Sequence, residues 1–341
     1  MTTTAETRWT SKSQKPVKGR GGPNRDLRMW SDKKRKSDAL GRAYLKLPRT
    51  YRPLGQRIID CAPQILRIGT KGESPEGLDI KTLFSGTCKA RLCPVCATLR
   101  ARRQYSRVVP RFEKALVANP GVRAAFATFT IPNVPMDQLR TAGSSMTSGF
   151  RRMTQRRAFK KAVIGWMRAM ELTLNRETMM VHPHLHVVLL LERGYFAKEH
   201  DLYLSQQEWL DLWRGVMRND AIQIVDIRPL RPRKRTGTLS SALGECTKYP
   251  MKPMSVWTKQ PDGTYAVDPT VLEPLHRGLR GKRLFGFGGI LRKPGRVVTE
   301  DPERDDWQLT QAEIDELTAP PVEEEPFFVE AFNWDGRNYD R

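Results

Sequence analysis

The chain has 341 residues, 39% of them hydrophobic, and a formal net charge of +22. The charge is lopsided: residues 300–341 carry 14 acidic against 3 basic side chains, a net of −11, which leaves +33 on the first 299. A body this basic repels itself unless it faces a polyanion, so nucleic acid is the expected partner. The sequence has no apolar run near the roughly 18 residues of a membrane span and no long helix with a single basic face, which weighs against a membrane surface. The polar start MTTTAETRWTSKSQK has no apolar signal core, so cytoplasmic residence is expected.

Residues 1–45 are basic, rich in Gly, Ser and Lys, and lack apolar periodicity, which predicts a disordered arm. Residues 46–112 form a cysteine region ending in ATLRARRQYSRVVPRFEKAL, a basic helical stretch that Pro110 should break or kink. Within residues 113–295, AAFATFTIPNV (124–134) alternates like a strand, and FRRMTQRRAFKK (150–161) reads as a basic helical segment. WMRAMELTL (166–174) and MMVHPHLHVVLLL (179–191) flank the polar break NRET like the arms of an antiparallel hairpin. SQQE (205–208) is a capping box opening a helix, AIQIVDIRPL (221–230) reads as another strand, and SSALGECTKY (240–249) as a helix. The acidic tail, residues 296–341, reads as disordered, though it ends in the aromatic-flecked FFVEAFNWDGRNYDR.

Cys88, Cys93 and Cys96 stand in CKARLCPVC, a C-x4-C-x2-C spacing, with Cys61 upstream as a fourth thiolate for one structural zinc. The alternative is a group of reduced cysteines around a loop. Arg100, Arg102 and Arg103 follow on the basic helix, placed to lie on phosphates or to form a solvated charged face.

Three of the five histidines, His182, His184 and His186, fall at every second position of one strand and so share a face. Two imidazoles at i and i+2 can bind one metal ion, and Glu171 falls roughly opposite His184 across the hairpin. Two histidines and a carboxylate suit Mg or Mn when water and phosphate oxygens fill the remaining positions. Hydrogen-bonded, half-buried histidines are the ordinary alternative, and for His182 the two readings weigh equally.

GECTKYPMK (244–252) puts Glu245 and Tyr249 one helical turn apart, with Lys248 and Lys252 beside them. A tyrosine with a pKa near 10 is a poor nucleophile unless cations stabilise the phenolate, and two lysines and a metal would do so. The carboxylate one turn away could activate water. Pro250 predicts a kink or end at Tyr249.

In order, FATFTIPN (126–133), HPHLHVVLL (182–190) and ExxKYxxK (245–252) resemble the three motifs of rolling-circle plasmid replication initiators, within the HUH endonuclease superfamily. CKARLCPVC and GLRGKRLFGFGGILRK (278–293) look like the same family, so the resemblance covers roughly residues 55–295. It implies an α+β fold: an antiparallel, RRM-like palm with flanking helices, preceded by a small zinc-ribbon-like cysteine module. It further implies a divalent metal on His184 and His186 with Glu171 completing the set, and attack by Tyr249 on the scissile phosphate. Similar two-tyrosine enzymes have a second tyrosine where this chain has Glu245, which points to water, not a second adduct, at termination. Plasmid origin DNA and a host helicase are the implied partners. An HUH transposase or relaxase, and a non-enzymatic zinc-containing DNA-binding protein, are the competing readings.

Overall fold

The computed structural model describes residues 23–71, 78–197, 201–230, 256–292 and 328–341. Its first unit comprises α1 (Pro23–Leu45), α2 (Arg52–Ile59), β1 (Gln64–Lys71), β2 (Leu78–Phe84) and α3 (Pro94–Ala118). Here β1 pairs antiparallel with β2 on one side and with β11 (Phe328–Trp334) on the other, and β12 (Tyr339–Asp340) continues the sheet outward.

Three expectations fail in this unit. Residues 23–45 are not a disordered arm: α1 buries Trp30, Leu40 and Tyr44, with Trp30 packed edge-on to Phe84 at 4.4 Å. The apolar stripe is hard to see in the sequence because Lys34 and Ser37 occupy core positions in it. Lys34 is accepted there because its ammonium donates to Asp38 Oδ1 and to the Ile59 carbonyl, each at 2.5 Å. A buried charge is tolerable only with such partners.

Nor is the acidic tail disordered to its end. Within FVEAFNW, Phe332 is buried, and Tyr339 is 5% exposed with its hydroxyl donating to the Ala62 carbonyl. Trp334 Nε1 donates to Asp38 Oδ2 at 3.0 Å, so the chain's last residues close the unit built by its first. Removing a buried aromatic costs about 3–5 kcal/mol. Tyr339→Ala is therefore expected to lower stability by about that much in urea unfolding; an unchanged midpoint would mean the terminal strand is not part of the cooperative fold.

Helix α3 also runs unbroken past Pro110. Val108 and Phe112, buried on either side of it, hold the helix against the core and offset the missing amide bond. The helix thus crosses the boundary that composition suggested near residue 112.

The second sheet has the order β10–β5–β6–β3–β7, all antiparallel, with β4 pairing β6. Its strands are β3 (Arg123–Thr130), β4 (Val134–Pro135), β5 (Val163–Asn175), β6 (Met180–Leu191), β7 (Val225–Leu230) and β10 (Phe285–Gly289). The expected hairpin is β5–β6. The expected strand over 221–230 is shorter, beginning at Val225. The basic segment 150–161 divides into the end of α4 (Leu139–Met153) and a separate α5 (Arg157–Ala162).

One face of this sheet is covered by α4 and α6 (Gln206–Met217). Phe129 of β3 meets Phe150 at 6.0 Å and Trp213 at 5.2 Å, and Trp166 of β5 meets Phe150 at 5.0 Å. Ser205 and Glu208 form the capping box read from SQQE. A small ribbon, β8 (Trp257–Lys259) with β9 (Tyr265–Val267), leads into α7 (Pro269–Leu279) and then β10. GFGG in β10 is required by close approach: Gly289 has φ +57°, and a Cβ there would fall 2.0 Å from the Ile164 carbonyl oxygen. No helix among the described residues is long and apolar enough to cross a membrane.

Candidate functional site

The sheet's other face carries the candidate chemistry at the hairpin end of β6, while Val188 and Leu190 further along that face are buried. Along β6 the first seven residues alternate between half-buried and buried, with His182, His184 and His186 on the half-buried side and Val181, Pro183 and Leu185 in the core. Thr128 on β3 and Ala169 on β5 flank His186, while Glu171 stands opposite His184.

Glu171 thus takes the register expected of it, but its carboxylate leans diagonally: Oε2 lies 2.7 Å from His186 Nε2. The other ring nitrogen, Nδ1, lies 3.2 Å from Thr128 Oγ1, and Phe126 stacks on the ring at 5.4 Å. His186 is therefore fixed on three sides. Thr128 escaped the sequence reading, although its place in FATFT and the alternation of that strand put it on the histidine face.

His184 is held differently. Its ring lies parallel to that of His186, 5.9 Å away, and its Nδ1 is buried with no hydrogen-bond partner among the described residues. Burial, followed by the neighbouring His182 and His186, pushes its pKa down to about 4. Neutral imidazole with a free nitrogen lone pair is the form a metal needs. An orphaned buried nitrogen beside a converging imidazole–carboxylate pair fits a divalent cation by donor chemistry. The trio is nonetheless looser than the cysteine centre, whose four ligand atoms all lie within 4.8 Å of one another. His182 sits at the edge, its ring 4.3 Å from that of His184 and its pKa lowered by burial.

The cysteine centre is assembled from three places. Cys61 follows α2, Cys88 lies in the loop after β2, and Cys93 and Cys96 open α3. All four are buried and unbridged, with Sγ–Sγ distances of 3.5 Å (Cys61–Cys96 and Cys88–Cys96) and 3.7 Å (Cys61–Cys93). A tetrahedral zinc with bonds of about 2.3 Å sets its sulfurs about 3.8 Å apart, close to this spacing. The amides of Cys88 and Lys89 donate to Cys61 Sγ and Cys96 Sγ at 3.3 and 3.2 Å; Lys89, at φ +58°, turns its amide inward. Ser37 of α1 touches Cys93 Sγ at 3.1 Å. Although burial opposes it, the Cys93 thiol is held well below its usual range by the surrounding thiols of Cys61, Cys88 and Cys96, while the thiols of Cys88, Cys93 and Cys96 push Cys61 up. The quartet could hold a metal ion such as zinc.

The arginines of α3 have internal partners. Arg100 donates to the Lys89 carbonyl at 2.9 Å, and Arg102 lies 4.8 Å over the Trp30 ring and 3.7 Å from Asp26. Arg103 is partly buried, which lowers its pKa. Glu245, Lys248, Tyr249 and Lys252, like the expected helix over 240–249, lie outside the described residues.

A cysteine-centred unit joined to a sheet with an imidazole–carboxylate face, in a strongly basic chain, defines a protein class that works on nucleic acid. The Rep_1 family model, described as replication protein, matches residues 81–340, and the chain belongs to that replication-protein family. It is 31% identical over 282 residues to a Protein rep of Streptococcus pneumoniae serotype 2, covering 80% of this chain and 83% of that one. It is 30% identical over 320 residues to a Protein rep of Bacillus amyloliquefaciens, covering 87% and 89%. A Replication protein of Staphylococcus aureus is 32% identical over 223 residues, 64% of this chain and 91% of that one. No solved structure matches the chain. The family resemblance carried by the three ordered motifs is thereby borne out.

Proposed function

We propose that the protein initiates rolling-circle replication of a plasmid by nicking one strand of the double-strand origin. The observation that carries this reading is the His186–Glu171 pair at 2.7 Å on the half-buried side of β6, beside a His184 Nδ1 that has no hydrogen-bond partner among the described residues. His184, His186 and Glu171 would hold Mg or Mn. The bound ion would supply Lewis-acid polarisation of the scissile phosphate. Thr128 orients the His186 ring so that Nε2 keeps facing the carboxylate.

In this reading the Tyr249 phenolate, stabilised by Lys248 and Lys252, attacks phosphorus. The P–O3′ bond breaks, leaving a 5′-phosphotyrosine, and the departing oxygen takes a proton to become the 3′-OH primer. At termination Glu245 takes a proton from water, which cleaves the regenerated nick site; the 3′-OH so released attacks the phosphotyrosine, rejoining the strand, and the departing phenolate regains a proton. Arg100, Arg102 and Arg103, beside the cysteine centre, would contact phosphates of the flanking duplex, and a host helicase would extend the opening.

The test uses labelled single-stranded origin oligonucleotide with Mg or Mn. Wild type is expected to give a covalent protein–DNA band that Tyr249→Phe lacks, and Glu245→Ala to accumulate that band. Retarded mobility without cleavage by wild type would leave a DNA-binding protein and no nickase.

A further inference from the structure

At the end of the histidine face, where the β5–β6 hairpin turns, a cleft of about 380 Å³ is lined by Asn133, Thr173, Leu174, Asn175, Met180 and His182. We propose that this cleft is a nucleobase subsite, taking one unstacked base of the single strand next to the scissile phosphate. The inference rests on the nicking reading for which base it holds, but not for whether it holds one.

Position is the first argument. Thr173 pairs in register with His182, and Asn175 with Met180, so the floor is the hairpin itself. Asn133 forms the side, one residue before β4, whose Val134 pairs with Val181. The His182 ring is 4.3 Å from that of His184, so the cleft begins one imidazole away from the candidate metal ligands. A strand whose phosphate lay at those ligands would bring a neighbouring base over it.

Chemistry is the second. None of the six described lining residues is Lys, Arg, Asp or Glu, so they offer nothing to neutralise a phosphate or to charge-balance a metal. What the cleft offers is hydrogen bonding beside an apolar surface: the Asn133 amide, the Thr173 hydroxyl and the His182 imidazole, with the Met180 side chain alongside. That is the composition of a pocket that reads a base edge and covers a base face. The volume sits at the low end of the roughly 300–1,000 Å³ typical of small-ligand sites, which suits one nucleoside and excludes duplex.

The roles within the cleft differ. Asn175 is committed to the turn, its Oδ1 accepting from the amides of Glu177 at 2.9 Å and Thr178 at 3.1 Å, so it forms a wall. Asn133 is exposed, and its amide, a donor beside an acceptor, makes no hydrogen bond among the described residues. Asn133 is the residue that reads the base.

The experiment is an equilibrium-binding scan with the full-length protein carrying Tyr249→Phe. Fluorescein-labelled single-stranded origin oligonucleotides, each with one abasic position within three nucleotides of the nick, are titrated by anisotropy. One position is expected to lose about 10-fold in affinity, the scale of one stacked base. Asn133→Leu should lower affinity for the intact oligonucleotide by a similar factor and abolish the penalty at that position. Met180→Trp, which fills the cleft from the opposite wall, should do the same if Asn133→Leu perturbs folding. A flat scan, or an unchanged penalty in both variants, overturns the subsite. Because this background does not cleave, the two readings fail separately. An Asn133-dependent position without a wild-type covalent band retains the subsite and removes the nickase; a band with a flat scan does the reverse.

Discussion

A His186→Ala protein is expected to nick origin DNA about 10³-fold more slowly than wild type while keeping its fold. The magnitude follows from what a bound divalent ion supplies, several kcal/mol of charge stabilisation at the phosphate, at 1.36 kcal/mol per decade of rate. Removing His186 takes away one proposed ligand and also the group that faces Glu171 at 2.7 Å. The fold survives because this side chain lies on the half-buried face, not in the core behind it. Melting should move by only a few degrees, the usual consequence of about 1 kcal/mol in a domain this size.

Thr128→Val supplies the companion result. It keeps the ligands and loses only the hydroxyl 3.2 Å from His186 Nδ1. Such partners orient a ligand, and losing one weakens metal binding by about 10–100-fold. The metal concentration for half-maximal nicking should rise accordingly, while the rate at saturating metal stays near wild type. Equal rates and equal metal dependence for wild type, His186→Ala and Thr128→Val would remove the histidine face from the chemistry.

Cys93→Ala is expected to have the largest effect on stability. Cys93 is fully buried, opens α3 and touches Ser37 of α1, so its sulfur joins the two helices through the centre. Where a structural zinc is present, its binding free energy, about 10–16 kcal/mol in small zinc-binding peptides, is also folding free energy. The variant should retain no zinc after purification, by elemental analysis, and the first unit should melt well below wild type. Cys246→Ala, a cysteine without metal-binding spacing, should retain zinc and serve as the control. Wild-type protein free of zinc, with a Cys93→Ala melting point equal to its own, would make the quartet four ordinary thiols.

What could be read before folding was local. Alternation in AAFATFT and HPHLHVV specified strands and assigned each side chain a face, because successive strand residues point to opposite sides. The short break after β5 set the hairpin register, and with it Glu171 opposite His184. CKARLCPVC gathered three thiols within one loop and one helix start. Tertiary structure alone decided the rest, wherever distant polar groups meet. It turned the Glu171 carboxylate to His186 and put Thr128 behind that ring. It brought Cys61 to the other cysteines and made a core helix of α1 by pairing Lys34 with Asp38 and the Ile59 carbonyl. It also returned residues 328–333 to β1 across most of the chain's length, with residues 339–340 pairing onto them. The physical reason is the same in each case: periodicity reports which face of a segment is apolar, but a buried polar group is stabilised only by its particular partner, which the local pattern does not contain.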